Sequence, residues 1–337
     1  MKKVFISAFL LLSLLTLNGC KSNQPPVKET GEPYGVNLAC ADFGSSFPGE
    51  YNKDYTYPTD QDLEYWQKKG LKLIRLPFKW ERLQLDLKGP LNQHDLNKMK
   101  ELVRAAEKRD MVVILDLHNY CRRFMNNEHT LIGNNGLTIE DLASFWQAIA
   151  KEFSTFKNIY GYGLMNEPHD LAPETKWFDM AQASINAIRE GGNDWSSAER
   201  WIEQSDTLKF LKDPANNLAF EAHVYFDKDA SGTYKYSYEE EECYPEKGID
   251  RVKPFVEWIK QNKFHGFIGE YGIPDNDPRW NETLDLFLGY LQENGINGTY
   301  WAAGPWWDTY FMAITPKDGK DRPQMPIIEK YTSTLKK

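Results

Sequence analysis

Short runs of aliphatic and β-branched residues alternate along this chain with longer stretches whose apolar positions recur every three or four residues. The first pattern suits buried parallel strands, the second helices that cover them. Read in order, Gly35–Ala39 predicts a strand, and a helix follows near Thr59–Lys69 with Thr59 as N-cap. Leu71–Leu76, Val112–Leu117 and Tyr160–Met165 predict strands, separated by helices near His94–Arg109 and Ile139–Phe153. A helix near Thr175–Glu190 comes next, then one from Ser196 to about Gln204, and the strand Leu218–Tyr225. The series closes with a helix at Val252–Asn262, the strand Phe264–Glu270, a helix at Trp280–Asn294 and the strand Gly298–Trp301. Such alternation implies an α/β fold with a parallel sheet under helices.

The residues ending these strands carry the chemistry. Leu73-Ile-Arg75 supplies an arginine, Ile114-Leu-Asp-Leu-His118-Asn119 a histidine and an asparagine, and Tyr162-Gly-Leu-Met-Asn166-Glu167 an Asn-Glu pair. Glu221-Ala-His223-Val-Tyr225 places His223 and Tyr225 two apart, on one strand face. Phe267-Ile-Gly-Glu270 supplies a second glutamate, and Thr299-Tyr-Trp301 a tryptophan. Polar groups at successive strand ends favour a closed (β/α)8 (TIM) barrel, whose strand C-termini share one rim. Two carboxylates there suit glycoside hydrolysis with retention, which needs them only ~5 Å apart.

The ends of the chain add an address. Lys2 and Lys3 precede the apolar run Val4–Leu17, too short for a stable membrane span, and Leu17-Asn-Gly-Cys20 closes it like a bacterial lipobox. Residues 1–20 are therefore expected to be a lipoprotein-type signal peptide with Cys20 as the lipidation site. The protein is expected to be exported and lipid-anchored to a bacterial membrane, at the outer membrane or cell surface, or otherwise secreted. Residues 21–33, with Pro25, Pro26 and Pro33, read as a polar linker, residues 34–331 as one catalytic body, and 332–337 as a tail.

The formal net charge of −9 grows more negative once Lys2 and Lys3 leave. An acidic surface argues against nucleic acid and acidic polysaccharides and suits a neutral polymer. Aromatics make up 14% of the chain, with 11 Trp, and sugar rings stack on such planes. Cys40, Cys121 and Cys243 include no Cys-x-x-Cys, and no His pair stands at ligand spacing, so no structural zinc is expected.

In these motifs the chain resembles glycoside hydrolase family 5, and within it the endo-β-1,4-glucanases, from Tyr34 to about Tyr331. The landmarks are Gly35-Val-Asn-Leu-Ala39, Arg75-Leu-Pro-Phe-Lys-Trp-Glu-Arg-Leu83, Leu117-His-Asn-Tyr120, Gly161-Tyr-Gly-Leu-Met-Asn-Glu-Pro168, Gly192-Asn-Asp-Trp-Ser196, His223-Val-Tyr225, Gly269-Glu-Tyr-Gly272 and Tyr300-Trp-Ala-Ala-Gly-Pro-Trp-Trp307. The resemblance implies an enzyme cutting β-glucan polysaccharide or oligosaccharide by double displacement, with no cofactor and no metal; the chain is expected to be a monomer. It makes Glu167 the acid/base, Glu270 the nucleophile and Asn166 a partner of the sugar 2-hydroxyl. Arg75 and Tyr225 would hold the nucleophile. His118, Asn119 and His223 would shape the reacting subsite, with Trp301 as its platform, and Trp195, Trp306 and Trp307 would line the cleft or simply pack.

One departure stands out. Between the helix ending near Glu190 and Gly191 there is no apolar run to serve as a fifth strand. Climbing a strand length takes ~17–20 Å, whereas the steps from Glu190 to Asp194 span at most ~14 Å. The barrel is therefore expected to be perturbed or incomplete at strand five, with the helix end unwinding or the sheet opening. Cys40 and Cys121, just past strand ends, are either a disulfide across the rim or two buried thiols. A β-mannanase or xyloglucanase remains the alternative activity, and a catalytically impaired glycan-binding lipoprotein the alternative of another class.

Overall fold

A computed structural model describes residues 34–189, 194–197, 201–307 and 309–332 of the chain. The predicted lipidation site Cys20 lies outside them, as does residue 308.

The body begins with β1 (Tyr34–Leu38), α1 (Asp60–Lys68), β2 (Leu73–Phe78), the short α2 (Trp80–Leu83), α3 (Gln93–Glu107) and β3 (Val112–Leu117). A rim hairpin, β4 (Arg122–Met125) and β5 (Glu128–Leu131), precedes α4 (Ile139–Phe153), β6 (Ile159–Gly163), α5 (Trp177–Arg189) and β7 (Asp194–Ser197). Then follow α6 (Trp201–Ser205), β8 (Ala219–Tyr225), α7 (Lys247–Asn262), β9 (His265–Gly272), α8 (Arg279–Glu293), β10 (Asn297–Ala303) and α9 (Met325–Thr332). Local chemistry sets several starts. At α4, Thr138 and Asp141 form a reciprocal capping box, and at α3 the Asn92 side chain accepts from the His94 N–H.

Eight strands form one parallel sheet in the order β6-β3-β2-β1-β10-β9-β8-β7. The sheet curls onto itself, since Glu167, just past β6, bonds His223 of β8 although those strands lie near opposite edges. Inside, Leu73, Ile114 and Phe267 form an apolar layer. Arg75 and Asp116 follow two residues further along β2 and β3, so the interior turns polar toward the rim.

Strand five is short and irregular, in keeping with the expected perturbation of the barrel. It is built from the polar Asp194-Trp-Ser-Ser197, of which Ser196 and Ser197 were expected to open the following helix, and it pairs in parallel with β8. α5 stays helical to Arg189, so the helix does not unwind to supply it, and the next helix begins at Trp201 rather than Ser196. Four residues make a short strand, and among the described residues no ladder joins β7 to β6. Among the described residues the curled sheet is open between β6 and β7, which is where the perturbation was expected.

A second irregularity lies in β9. Glu221 and Ala222 of β8 pair with Phe267 and Ile268, yet His223 pairs with Glu270, so Gly269 is an extra residue. Strict alternation from the inward Phe267 would turn Glu270 outward toward the helices. The bulge restores it to the interior. Asn37 and Thr299 pin the bulge by donating to the Gly269 carbonyl at 2.8 and 2.6 Å.

Candidate active site

Arg75 organises the rim from below. Its Nη1 donates to Glu270 Oε1 at 3.0 Å and to Asn37 Oδ1 at 2.8 Å, while Nη2 donates to Asn166 Oδ1 at 2.8 Å. Asp116 Oδ1 lies 3.1 Å from Nη2, and Glu221 Oε1 lies 3.4 Å from Nε. Burial opposes the guanidinium charge, but Asp116, Glu221 and Glu270 outweigh it and raise the Arg75 pKa.

Glu270 is buried and held at both oxygens, by Arg75 on Oε1 and by the Tyr225 hydroxyl, which donates to Oε2 at 2.7 Å. Burial, with the charges of Glu270 and Glu167, pushes the Tyr225 pKa well up, so the phenol keeps its proton and remains a donor. The result is an aimed carboxyl group facing a fixed positive charge.

Glu167 is placed differently. Its side chain is 46% exposed, and its backbone sits at φ +40°, a left-handed conformation that is unusual outside glycine. Its Oε1 accepts from His223 Nδ1 at 2.8 Å. Desolvation would raise its pKa, but the hydrogen bond from His223, helped by the neighbouring His118 and Arg75, holds the carboxyl down to about 2. One oxygen of Glu167, one of Glu270 and a ring nitrogen of His223 all lie within 4.8 Å of one another. The three side chains also bond one another, Arg75 and Tyr225.

Asp116 Oδ2 accepts from His118 Nδ1 at 2.9 Å, which leaves Nε2 to accept from the Tyr120 hydroxyl at 3.0 Å. Asn166 Nδ2 lies 3.3 Å from the same Nε2, its amide orientation fixed by Arg75 on the oxygen side. The His118 ring stacks on Trp301 with centroids 5.6 Å apart and planes 9° from parallel, so Trp301 is braced from beneath. Gly272 is required here, because a Cβ on it would fall 2.3 Å from the Trp301 carbonyl oxygen.

Arg75, Asn166, Glu167, His118, His223, Tyr225, Glu270 and Trp301 thus converge. Asn119 does not join them as expected. Its Oδ1 accepts from the Trp80 N–H at 2.9 Å, and its Nδ2 donates to Glu81 and to the Arg122 carbonyl. Its bonding capacity goes to holding the rim turn, not the sugar. Trp306 is 39% exposed and fits a cleft wall, whereas Trp307 is buried against Ala39, Cys40 and Ala302 and meets Trp301 edge-on. The backbone of Trp195 pairs at the level of Glu221, and its side chain lies outside the described residues. Cys40 and Cys121 do not bridge. Both are thiols, packed in separate apolar clusters.

Sequence reasoning missed Asn37, Asp116 and Glu221. All three are polar residues inside predicted strands of an otherwise apolar run, and that misplacement was the available signal.

With this geometry in view, the likenesses to known proteins are specific. Residues 27–306 match the family model "Cellulase (glycosyl hydrolase family 5)". Endo-beta-1,4-glucanase B of Emericella nidulans is 33% identical over 301 residues, covering 85% of this chain and 87% of that one. The crystal structure of Pseudomonas stutzeri endoglucanase Cel5A in complex with cellobiose superposes with a TM-score of 0.82 at 38% identity, covering 89% and 92% of the two chains. The endo-beta-1,4-glucanase Xac0029 from Xanthomonas axonopodis pv. citri gives 0.81 at 33% identity, covering 91% and 100%.

Proposed function

The chain belongs to glycosyl hydrolase family 5, the cellulase family, and on that footing we propose that it is an endo-β-1,4-glucanase that works with retention through Glu270 and Glu167. One observation carries the mechanism: carboxylate oxygens of the two residues lie within 4.8 Å. For nearest oxygens that spacing suits a retaining pair, whose carboxyl groups stand ~5–5.5 Å apart, better than an inverting pair at ~6.5–9.5 Å, which must admit a water.

Glu270, held beside Arg75 and steadied by Tyr225, attacks the anomeric carbon while Glu167 protonates the leaving oxygen. A covalent glycosyl-enzyme forms. Glu167 then takes a proton from water, and the water displaces Glu270. Covering the half-exposed Glu167 with a sugar removes it from water and raises its proton affinity at the moment it must donate. Asn166, with its oxygen taken by Arg75, presents its amide N–H groups to the sugar 2-hydroxyl, and Trp301 offers the ring a flat, braced surface. The glucan assignment follows from the relatives' activities and from the cellobiose bound in the Pseudomonas stutzeri neighbour.

Incubation with carboxymethylcellulose is expected to release reducing ends, and proton NMR of fresh cello-oligosaccharide digests should show the β-anomer first. Early α-anomer would refute retention, and cleavage of mannan alone would refute the substrate. For Glu167→Ala, turnover of polymer should fall about 10³-fold, while bond cleavage in 2,4-dinitrophenyl β-cellobioside, whose leaving group needs no proton, falls far less. Equal losses on the two substrates would remove Glu167 from the acid/base role.

A further inference from the structure

The resting site poses a problem for its own acid. His223 holds Glu167 ionised, yet bond cleavage requires a proton on it. Behind His223 stands Glu221, two residues earlier on β8 and buried. Its Oε1 makes no hydrogen bond, lies 3.4 Å from Arg75 Nε and faces His223 Nε2 at 3.9 Å. The other ring nitrogen, Nδ1, touches Glu167 Oε1 at 2.8 Å. Imidazole therefore lies between the buried carboxyl and the exposed one.

We propose that Glu221 is a positioning residue that stores a proton in the barrel interior and delivers it through His223 to Glu167. The inference rests on the reading of Glu167 as acid/base. The step balances: the Glu221 O–H gives its proton to His223 Nε2, and His223 Nδ1–H gives its own to the Glu167 carboxylate. Glu221 ends ionised beside Arg75, His223 remains neutral in its other tautomer, and Glu167 is protonated. Closing the gap from 3.9 Å to hydrogen-bonding distance takes a side-chain movement of about 1 Å. When Glu167 later deprotonates the attacking water, the same relay runs backward and refills Glu221.

Charge supports this placement. One guanidinium, Arg75 from β2, faces Asp116 from β3, Glu270 from β9 and Glu221 from β8, and leaving a buried charge unmatched is strongly unfavourable. Asp116 and Glu270 each accept further hydrogen bonds, from His118 and Tyr225 respectively. Glu221 has none, so it is the carboxyl that best holds a proton. Burial, reinforced by Asp116 and Glu270 against the pull of Arg75, raises its pKa well above the usual carboxylate range.

The test is Glu221→Gln, which keeps shape and removes the transferable proton. Its kcat on cello-oligosaccharide should fall about ten-fold with KM unchanged, and the alkaline limb of the pH profile should move about one unit toward acid. Turnover of 2,4-dinitrophenyl β-cellobioside should change less than about two-fold, and Glu221→Asp should restore the limb. Equal loss on both substrates, or an unmoved limb, would mean that Glu221 is only structural. In the wild-type enzyme, carboxyl-13C NMR should show one glutamate still protonated at neutral pH; without such a signal the store does not exist. If instead Glu167→Ala fails to discriminate between leaving groups, the acid/base reading has failed and not the relay alone.

Discussion

Glu270→Ala is expected to abolish turnover, by about 10⁴-fold or more, which corresponds to ~5 kcal/mol or more of lost transition-state stabilisation. Cellotetraose should still bind, since Trp301, His118 and Asn166 do not depend on the deleted carboxylate for their placement. Stability should hold or rise slightly. Three carboxylates surround one guanidinium in the wild-type interior, so removing one relieves an excess of negative charge. Calorimetry and oligosaccharide titration on the same sample check both halves. Azide supplies a chemical control: entering the vacated space from the α-face, it should yield an α-glycosyl azide from an activated β-cellobioside. A variant retaining a tenth of wild-type activity would exclude Glu270 as nucleophile.

Arg75→Met should do what Glu270→Ala does not and unbalance the fold. It leaves Asp116, Glu221 and Glu270 facing one another, and breaking a buried ion pair costs ~3–5 kcal/mol. Turnover should fall about 10³-fold, because Glu270 loses the charge that aims it. The pH dependence has a definite sign. Desolvation, then Asp116 and Glu270, raise the Glu221 pKa, and Arg75 is the influence that lowers it, so the variant raises it further. A carboxyl with a raised folded-state pKa contributes its stability fully below its unfolded value, ~4.3, and loses it as pH rises through the folded value. Urea unfolding should therefore show a deficit that is small near pH ~4.5 and large at neutral pH. A deficit independent of pH would point to lost packing instead of uncompensated charge.

Much of this was legible in the chain, for physical reasons. Parallel strands covered on both faces must be apolar throughout, so Leu73-Ile-Arg75 and Ile114-Leu-Asp116 declare themselves even with a charge inside. Residues at their ends share a rim because all strands run one way. Other features were hidden because tertiary contacts decide them. Apart from Trp195, Asp194-Trp-Ser-Ser197 has little strand character, and it becomes β7 because the edge of β8 offers it a ladder. Asn119 looks like any rim asparagine until Trp80, Glu81 and Arg122 exhaust its donors and acceptor. Cys40 and Cys121 share a suggestive position past strand ends, but that position carries no information on which cluster each packs into.

The pinned extra residue at Gly269 means that the aim of the nucleophile is stored in chain length, not in side-chain identity. A codon lost there would leave both glutamates in the gene and every motif readable, yet Glu270 would face the helical shell, out of reach of any glycosidic bond. For relatives of this chain, counting residues between Phe267 and Glu270 is thus a sharper indicator of catalytic competence than finding the two acids.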